Sequence, residues 1–192
     1  MSAIGNHDRV GLSLFSDRVE KFLIPRNGRH NNLRLIRELV AVADAPPSCG
    51  TNITLALRNA CSVLVKRSVI FIVSDMLDNS PELETALRLA SRRHDVIVLH
   101  LYDPESWILP AGLNSLYDAE SGSFIRLNSS RARREYQERC RLQTESAQDM
   151  CRRCGAEVIP LPGNVETVSA LMSFFRQRRQ HRRIRPAGGN NL

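Results

Sequence analysis

Aromatic residues and long apolar runs are both scarce in this chain of 192 residues. Phe, Trp and Tyr make up 5% of the sequence, and tryptophan occurs once, at Trp107. No apolar run approaches the roughly 18 to 20 residues that a membrane-spanning helix needs. Met1 is followed by Ser-Ala-Ile-Gly-Asn rather than by a basic and then apolar signal. We therefore expect a cytoplasmic protein.

Cysteine is too sparse for a disulfide scaffold. The five cysteines are an odd number in a chain whose hydrophobic content, 42%, is that of an ordinary globular domain, so we expect reduced thiols. Cys151 and Cys154 form a C-x-x-C, but the sequence has no second such pair to complete a zinc site. Both fall in the last turn of a predicted helix, where the helix dipole opposes a thiolate. Packing is therefore the favoured role, and redox chemistry is the alternative.

The common catalytic motifs are also missing. The chain has no Gly-x-Ser-x-Gly elbow and no Gly-x-x-x-x-Gly-Lys-Ser/Thr loop, and none of its histidines accompanies a candidate nucleophile. His100 falls within an apolar strand pattern, which is typical of a core histidine. We therefore predict that this protein is not an enzyme.

Acidic residues are outnumbered by basic ones, 20 to 27, which gives a formal net charge of +7. The excess is concentrated near the end of the sequence, at Arg176, Arg178, Arg179, Arg182, Arg183 and Arg185. Such a run can bind nucleic acid or an anionic membrane surface. A solvated helix end with a disordered tail at residues 180–192 explains the run as well, and we favour this second interpretation.

Short apolar runs alternate with helical patterns along the chain. Val10–Phe15 and Val19–Ile24 predict a hairpin, whereas Val69–Val73 and Val96–Leu101 predict parallel strands that are covered on both faces. Another strand is predicted at Glu157–Leu161, a short hairpin between Leu116 and Leu127, and helices around Leu33–Val40, Ile53–Leu64, Leu83–Ala90, Arg131–Arg153 and Val165–Arg178. This alternation predicts an α/β fold with a doubly wound, mostly parallel sheet, helices on both faces and an antiparallel edge hairpin.

Two short polar signals stand at the ends of predicted elements. Gly50-Thr51 opens a helix, and Ser74-Asp75 closes the strand Val69–Val73. In an open α/β sheet, ligands bind beyond the carboxyl ends of the strands, so Thr51 and Asp75 are candidate metal ligands. The alternatives are a helix N-cap at Thr51 or Gly50 and a loop-capping carboxylate at Asp75.

A series of segments resembles a known family. In chain order, the segments are Asp8–Glu20, Gly50-Thr51, Val73–Asp75, Arg92–Val96 and Tyr102–Pro104. The series extends from about Asp8 to Arg179. It resembles the C-terminal half of the bacterial domain-of-unknown-function family 58, which contains a von Willebrand factor A-like domain and is often encoded beside MoxR-type AAA+ ATPases.

The resemblance implies a metal-ion-dependent adhesion site. In the family, the central first strand carries an Asp-x-Ser-x-Ser loop, and a Thr and a later Asp, matched here by Thr51 and Asp75, complete the site. This sequence contains no Asp-x-Ser-x-Ser. We therefore expect an incomplete, N-terminally truncated von Willebrand factor A-like domain at residues 1–179. It would lack the first strand and the N-terminal membrane anchor that larger members usually carry.

The ligands that remain limit the expected function. Mg²⁺ prefers near-octahedral coordination by hard oxygens, and Thr51 and Asp75 offer one hydroxyl and one carboxylate, so Mg²⁺ or another divalent cation should bind weakly or not at all. We expect a protein-interaction module whose partner, by resemblance, is a MoxR-type AAA+ ATPase. Its contact region would be the loops around Thr51, Asp75 and Asp103, with Trp107 nearby. The alternative is a basic protein that binds nucleic acid or an anionic surface.

The missing first strand has a structural consequence. In a sheet of the order 3-2-1-4-5-6, losing strand 1 separates Val10–Phe15 from Val69–Val73. Either these two strands pair directly, or open sheet edges remain that allow self-association.

Overall fold

Strands and helices alternate along the computed structural model, which describes residues 8–43, 50–78, 80–110, 115–117, 124–126, 129–163 and 166–184. The elements are β1 (Val10–Phe15), β2 (Val19–Arg26), α1 (Arg29–Ala43), α2 (Ile53–Val63), β3 (Val69–Ser74), α3 (Leu83–Arg93), β4 (Asp95–Tyr102), a 3₁₀ turn (Glu105–Trp107), β5 (Ser115–Tyr117), β6 (Phe124–Arg126), α4 (Ser130–Arg153), β7 (Glu157–Pro162) and α5 (Thr167–Ile184). The predicted mixture of strands and helices is confirmed.

The first two strands form an antiparallel hairpin, as predicted, with Val10 opposite Arg26 and Phe15 opposite Val19. β2 extends through Pro25 instead of ending there. At the open end of the hairpin, the Asn31 side-chain amide donates hydrogen bonds of 2.9 Å to the carbonyls of Val10 and Arg26. The start of α1 is thereby fastened to both strands.

β3, β4 and β7 form a three-stranded sheet in the order β3-β4-β7. β4 and β7 are parallel, with Ile97 opposite Glu157 and Leu101 opposite Leu161. The core on this sheet consists of four buried residues from β4 and β7, against which three residues of α5 pack: Ile97, Leu99, Ile159 and Leu161, with Ala170, Leu171 and Phe174. Most of β4 is buried, as the sequence predicts.

β3 differs from the prediction, because it is not covered on both faces. Ile72 is buried, but Val69, Phe71 and Val73 on the opposite face are 52%, 46% and 55% exposed. β3 is the last strand of its sheet among the described residues, and α5 packs mainly over β4 and β7, reaching β3 through the contact of Phe175 with Phe71. Direct pairing of β1 with β3 is also not formed in this part of the chain, where the two strands belong to different sheets.

The chain divides into two compact units. Unit one comprises Met1–Val69, Leu77–Asp95 and Tyr117–Ser123, and unit two comprises Ile70–Met76, Val96–Leu116 and Phe124–Leu192. Unit one holds the hairpin, α1, and the packed pair α2 and α3; unit two holds most of the parallel sheet, α4 and α5. The tail boundary predicted at residue 180 falls inside α5, which continues to Ile184.

None of the helices in the described ranges is both long enough and apolar enough to cross a membrane. The longest, α4, is amphipathic and richly charged, and its only buried residue is Cys151.

Candidate partner-binding site

The carboxyl edge of the parallel sheet carries two exposed aspartates. Asp75 follows β3 and Asp103 follows β4, and both are exposed side chains of unit two. The loop after β7 reaches the same edge, because the Gly163 N–H donates a 2.8 Å hydrogen bond to the Tyr102 carbonyl. This edge is where ligands bind in parallel α/β sheets.

Hydrogen bonds between side chains and backbone groups fix the loop that carries Asp75. The Ser74 hydroxyl accepts a 3.0 Å bond from the Met76 N–H, and Met76 adopts a left-handed φ of 59°. The buried imidazole of His100 lies with Nε2 3.0 Å from the Asp75 carbonyl oxygen. A carbonyl only accepts, so Nε2 must carry the proton. The predicted core position of His100 is confirmed, and burial lowers its pKa.

Asp103 and Trp107 lie at the start of the next loop. The Asp103 carboxylate accepts a 3.0 Å hydrogen bond from the Glu105 N–H, and its carbonyl accepts one of 2.7 Å from the Ser106 hydroxyl. The half-buried indole of Trp107 stacks on Tyr102 with ring centroids 5.8 Å apart and an interplanar angle of 15°. The 3₁₀ turn therefore has a fixed shape and leaves the Asp103 side chain exposed.

Thr51 lies in unit one and is half-buried. The N-cap of α2 is Asn52, whose side chain accepts a 2.8 Å bond from the Leu55 N–H. The alternative that placed this N-cap at Thr51 or Gly50 is therefore wrong by one or two positions. Asparagine is a stronger N-cap residue than threonine or glycine. The Asn52 N–H also donates a 2.7 Å bond to the Ser16 carbonyl, which holds this loop against the hairpin turn.

Asp78 is a polar residue that the sequence did not single out. Its two carboxylate oxygens accept 2.7 Å bonds from the backbone N–H groups of Ile53 and Ser80. A carboxylate at a helix N-terminus satisfies an unpaired donor and favours the helix dipole. The Asp-x-Ser spacing could have indicated the local bond to Ser80, whereas the bond to Ile53 joins residues far apart in sequence.

The candidate metal ligands belong to different units, Thr51 to unit one and Asp75 to unit two. Within the described part of the chain, no three or more His, Cys, Asp or Glu side chains form a group that could hold a metal ion. A hydroxyl and a carboxylate are hard-oxygen donors of the kind that Mg²⁺ prefers, but they are few.

The C-x-x-C has the properties of a packed pair. Cys151 and Cys154 are both buried, and neither forms a disulfide. Burial, with a smaller contribution from Cys154, raises the pKa of Cys151 to about 11. The Cys151 thiol is therefore protonated at neutral pH, which is unfavourable for redox or metal chemistry.

Much of the positive charge on α4 is neutralised locally. Arginines on this helix form ion pairs one turn apart, namely Arg131 with Glu135, Arg141 with Glu138 and Glu145, and Arg152 with Asp149. On α5, Arg178 reaches Glu157 at 3.3 Å. Arg176 is exposed, Arg179, Arg182 and Arg183 continue the same helix, and Arg185 lies outside the described residues.

The architecture defines a mixed α/β protein with a parallel three-stranded sheet and an antiparallel hairpin. The family described as "Protein of unknown function DUF58" matches residues 1–146, and the chain belongs to this family. The resemblance found in the sequence is confirmed at this level.

The curated relatives are themselves uncharacterized. The chain is 24% identical over 157 residues to the uncharacterized protein MAV169 of Mycobacterium avium. This alignment covers 81% of this chain and 92% of that protein. It is also 24% identical over 180 residues to the uncharacterized protein Rv1480 of Mycobacterium tuberculosis, which covers 92% of this chain. The chain spans only 56% of the length of Rv1480.

Two solved structures have a similar fold. The conserved hypothetical protein BatB from Bacteroides thetaiotaomicron aligns with a TM-score of 0.57 at 18% identity, over 91% of this chain and 79% of that one. An aerotolerance-related membrane protein from Bacteroides fragilis aligns with a TM-score of 0.53 at 17% identity, over 88% and 77%. At these identities, the likeness concerns the fold alone.

Proposed function

We propose that this chain is a non-enzymatic protein-interaction module with a von Willebrand factor A-like arrangement. The observation that carries the proposal is the pair of exposed carboxylates, Asp75 and Asp103, on loops whose backbones are held by hydrogen bonds. A loop that is ordered before binding loses little conformational entropy when a partner docks. Such an edge is suited to binding a partner that offers cationic groups or a metal ion.

The partner that we propose is a MoxR-type AAA+ ATPase, on the basis of the family resemblance. By the same resemblance, Asp75 would offer a carboxylate oxygen to Mg²⁺, and Thr51 is the further candidate ligand. Because either residue alone leaves most of the coordination shell to water, metal binding should be weak until the partner supplies a carboxylate. The ion would then be shared between the two proteins.

Binding of the chain to a purified MoxR-type ATPase from the same organism tests this function. We expect Asp75→Ala to weaken binding by about tenfold or more, since a lost charged contact is worth about 1.5–3 kcal/mol. Thr51→Ala should have a smaller effect in the same direction. The measurement is titration calorimetry with Mg²⁺ and again with EDTA.

Asp149→Ala is the matched control for this experiment. Asp149 is also an exposed aspartate of unit two, but it lies near the end of α4, the helix that leads into the amino end of β7. If Asp75→Ala and Thr51→Ala both bind the ATPase as the unmodified chain does, the loop-edge hypothesis is wrong. If Asp75→Ala weakens binding equally in Mg²⁺ and in EDTA, the interaction stands and the shared metal ion is rejected.

The second candidate function is binding of nucleic acid or another polyanion. One observation favours it, since α5 continues to Ile184 and gathers Arg176, Arg179, Arg182 and Arg183 on one helix. Under this candidate, affinity for duplex DNA should fall steeply with salt and disappear when the residues beyond Arg176 are deleted. Weak DNA binding that survives the deletion would reject it.

A further inference from the structure

An apolar patch lies on one face of β3 and continues onto α5. On β3, the patch consists of the exposed residues Val69, Phe71 and Val73. On α5, it consists of one stripe of exposed side chains, Val168, Met172 and Phe175. Phe71 and Phe175 join the two parts, with ring centroids 6.2 Å apart. We call these six residues the β3–α5 patch.

β3 itself has none of the usual protection of an edge strand. Natural edge strands are kept from pairing by lysine, proline, bulges or inward-pointing charges. The strand Val-Ile-Phe-Ile-Val-Ser has no charged residue and no proline. Charges flank it instead, with exposed Arg67 shortly before the strand and exposed Asp75 directly after it.

We propose that a second copy of this chain covers the patch by antiparallel pairing of β3 with β3, with Phe71 on the two-fold axis. Directly opposed residues in an antiparallel pair share one face of the sheet, so residues of the same parity must pair. With Phe71 opposite Phe71, Val69 pairs with Val73 and Arg67 meets Asp75. Parallel pairing in register would instead place Arg67 against Arg67 and Asp75 against Asp75.

The same symmetry brings the α5 stripes together. A two-fold axis perpendicular to the sheet keeps the same face up in both copies, so both α5 helices flank the new seam on one side. Val168, Met172 and Phe175 of each copy then cover the Phe71 and Val73 side chains. A stable interface buries about 800 Å² per partner, which requires this stripe in addition to a strand of six residues.

This pairing does not depend on the proposed function. It engages Asp75, however, so a partner that binds through Asp75 should compete with the second copy. Phe71→Lys distinguishes the two proposals, because it places two like charges on the axis and leaves Asp75 unchanged. It should abolish the dimer and preserve binding to the ATPase.

Sedimentation velocity on the full chain over a concentration series tests the pairing. We expect a closed dimer. Each charge contact occurs twice, so Arg67→Asp and Asp75→Arg should each weaken dimerisation by about tenfold or more. The double variant R67D/D75R exchanges the two charges and should restore the dimer. Arg92→Asp, an exposed change on α3, is the matched control and should leave the dimer intact.

Oxidative crosslinking of Phe71→Cys gives a second measurement. Residues opposite each other on the axis are about 4.5–5.5 Å apart in Cα position, which is within reach of a disulfide. Mass spectrometry should identify two identical peptides, one from each copy, that are joined by a disulfide between the introduced cysteines. A chain that stays monomeric, forms heterogeneous aggregates, or dimerises equally well as R67D, D75R and F71K would overturn the proposal, provided that circular dichroism shows folded variants.

Discussion

At the scale of single residues, the two buried histidines differ in their partners. The His100 ring donates to the Asp75 carbonyl. Neither ring nitrogen of His94 has a hydrogen-bond partner among the described residues, although this side chain is only 2% exposed. Burial lowers the pKa of His94, and the nearby guanidinium groups of Arg93 and Arg67 lower it further. His94 is therefore a neutral core residue whose protonation opposes folding.

We predict that His94→Leu reduces the loss of stability at acidic pH. An unfolded histidine titrates near pH 6.5, and the folded pKa lies lower, so the unfolded state binds more protons as the pH falls below about 6.5. Each such histidine lowers the free energy of unfolding by at most about 1.4 kcal/mol per pH unit in that range. Urea unfolding from about pH 8 to about pH 5 should show a shallower decline for the variant.

The same variant should be as stable as the unmodified chain at alkaline pH, or more so. No hydrogen bond to a described residue is lost, and removing an unsatisfied buried polar group is neutral or stabilising. Thr85→Leu, an exposed change on α3 that neither adds nor removes a titratable group, is the control and should not change the pH dependence. If the free energy of unfolding of His94→Leu declines toward acidic pH as steeply as that of the unmodified chain, groups other than His94 determine the decline.

At the scale of elements, the sequence predicts which segments become strands better than it predicts their neighbours. Val69–Val73 and Val96–Leu101 are both continuous apolar runs, and both are strands. Only the second is buried through most of its length, because β4 lies between β3 and β7 whereas β3 ends the sheet. The two runs are similarly apolar apart from His100, so their composition does not explain the difference in burial, and strand order, which is a long-range property, does.

The first helix shows the same limit. The spacing of Leu33, Ile36, Leu39 and Val40 predicts a helix, and α1 confirms it. All four side chains are nevertheless exposed, and Leu35 is the buried residue of this helix. Periodicity indicates that a segment is helical and amphipathic. Periodicity does not show which other helix or strand packs against the apolar face.

The candidate site was predictable to a similar extent. Asp75 and Asp103 could be placed at the carboxyl edge of the sheet because each lies two residues after the end of an apolar run. The Asp78 carboxylate at the start of α2 could not, since its bond to Ile53 depends on how two loops meet. Local patterns therefore predicted where these two aspartates lie, whereas the contacts that hold the loops in place required the structure.

At the scale of the whole molecule, the chain passes repeatedly between the two units. β3 begins in unit one and continues in unit two, and β4 does the same, since Asp95 belongs to unit one and Val96 to unit two. Each unit is assembled from three separate segments of the chain, so neither is a continuous stretch that could fold by itself. We therefore expect one cooperative transition rather than two. The only tryptophan, Trp107, lies in unit two and reports on that unit alone.

Gly11→Ala tests this cooperativity. A Cβ atom at Gly11 would lie 2.7 Å from the Leu23 carbonyl oxygen and 2.9 Å from a Pro25 ring carbon, so the variant should destabilise the hairpin in unit one by about 1–3 kcal/mol. Because the segments of the two units alternate along one chain, the thermal midpoint from Trp107 fluorescence should fall as far as that from far-ultraviolet circular dichroism. Arg58→Ala, an exposed change on α2, should move neither midpoint appreciably. A fluorescence midpoint that stays in place while the dichroism midpoint falls would mean that unit two unfolds independently of unit one.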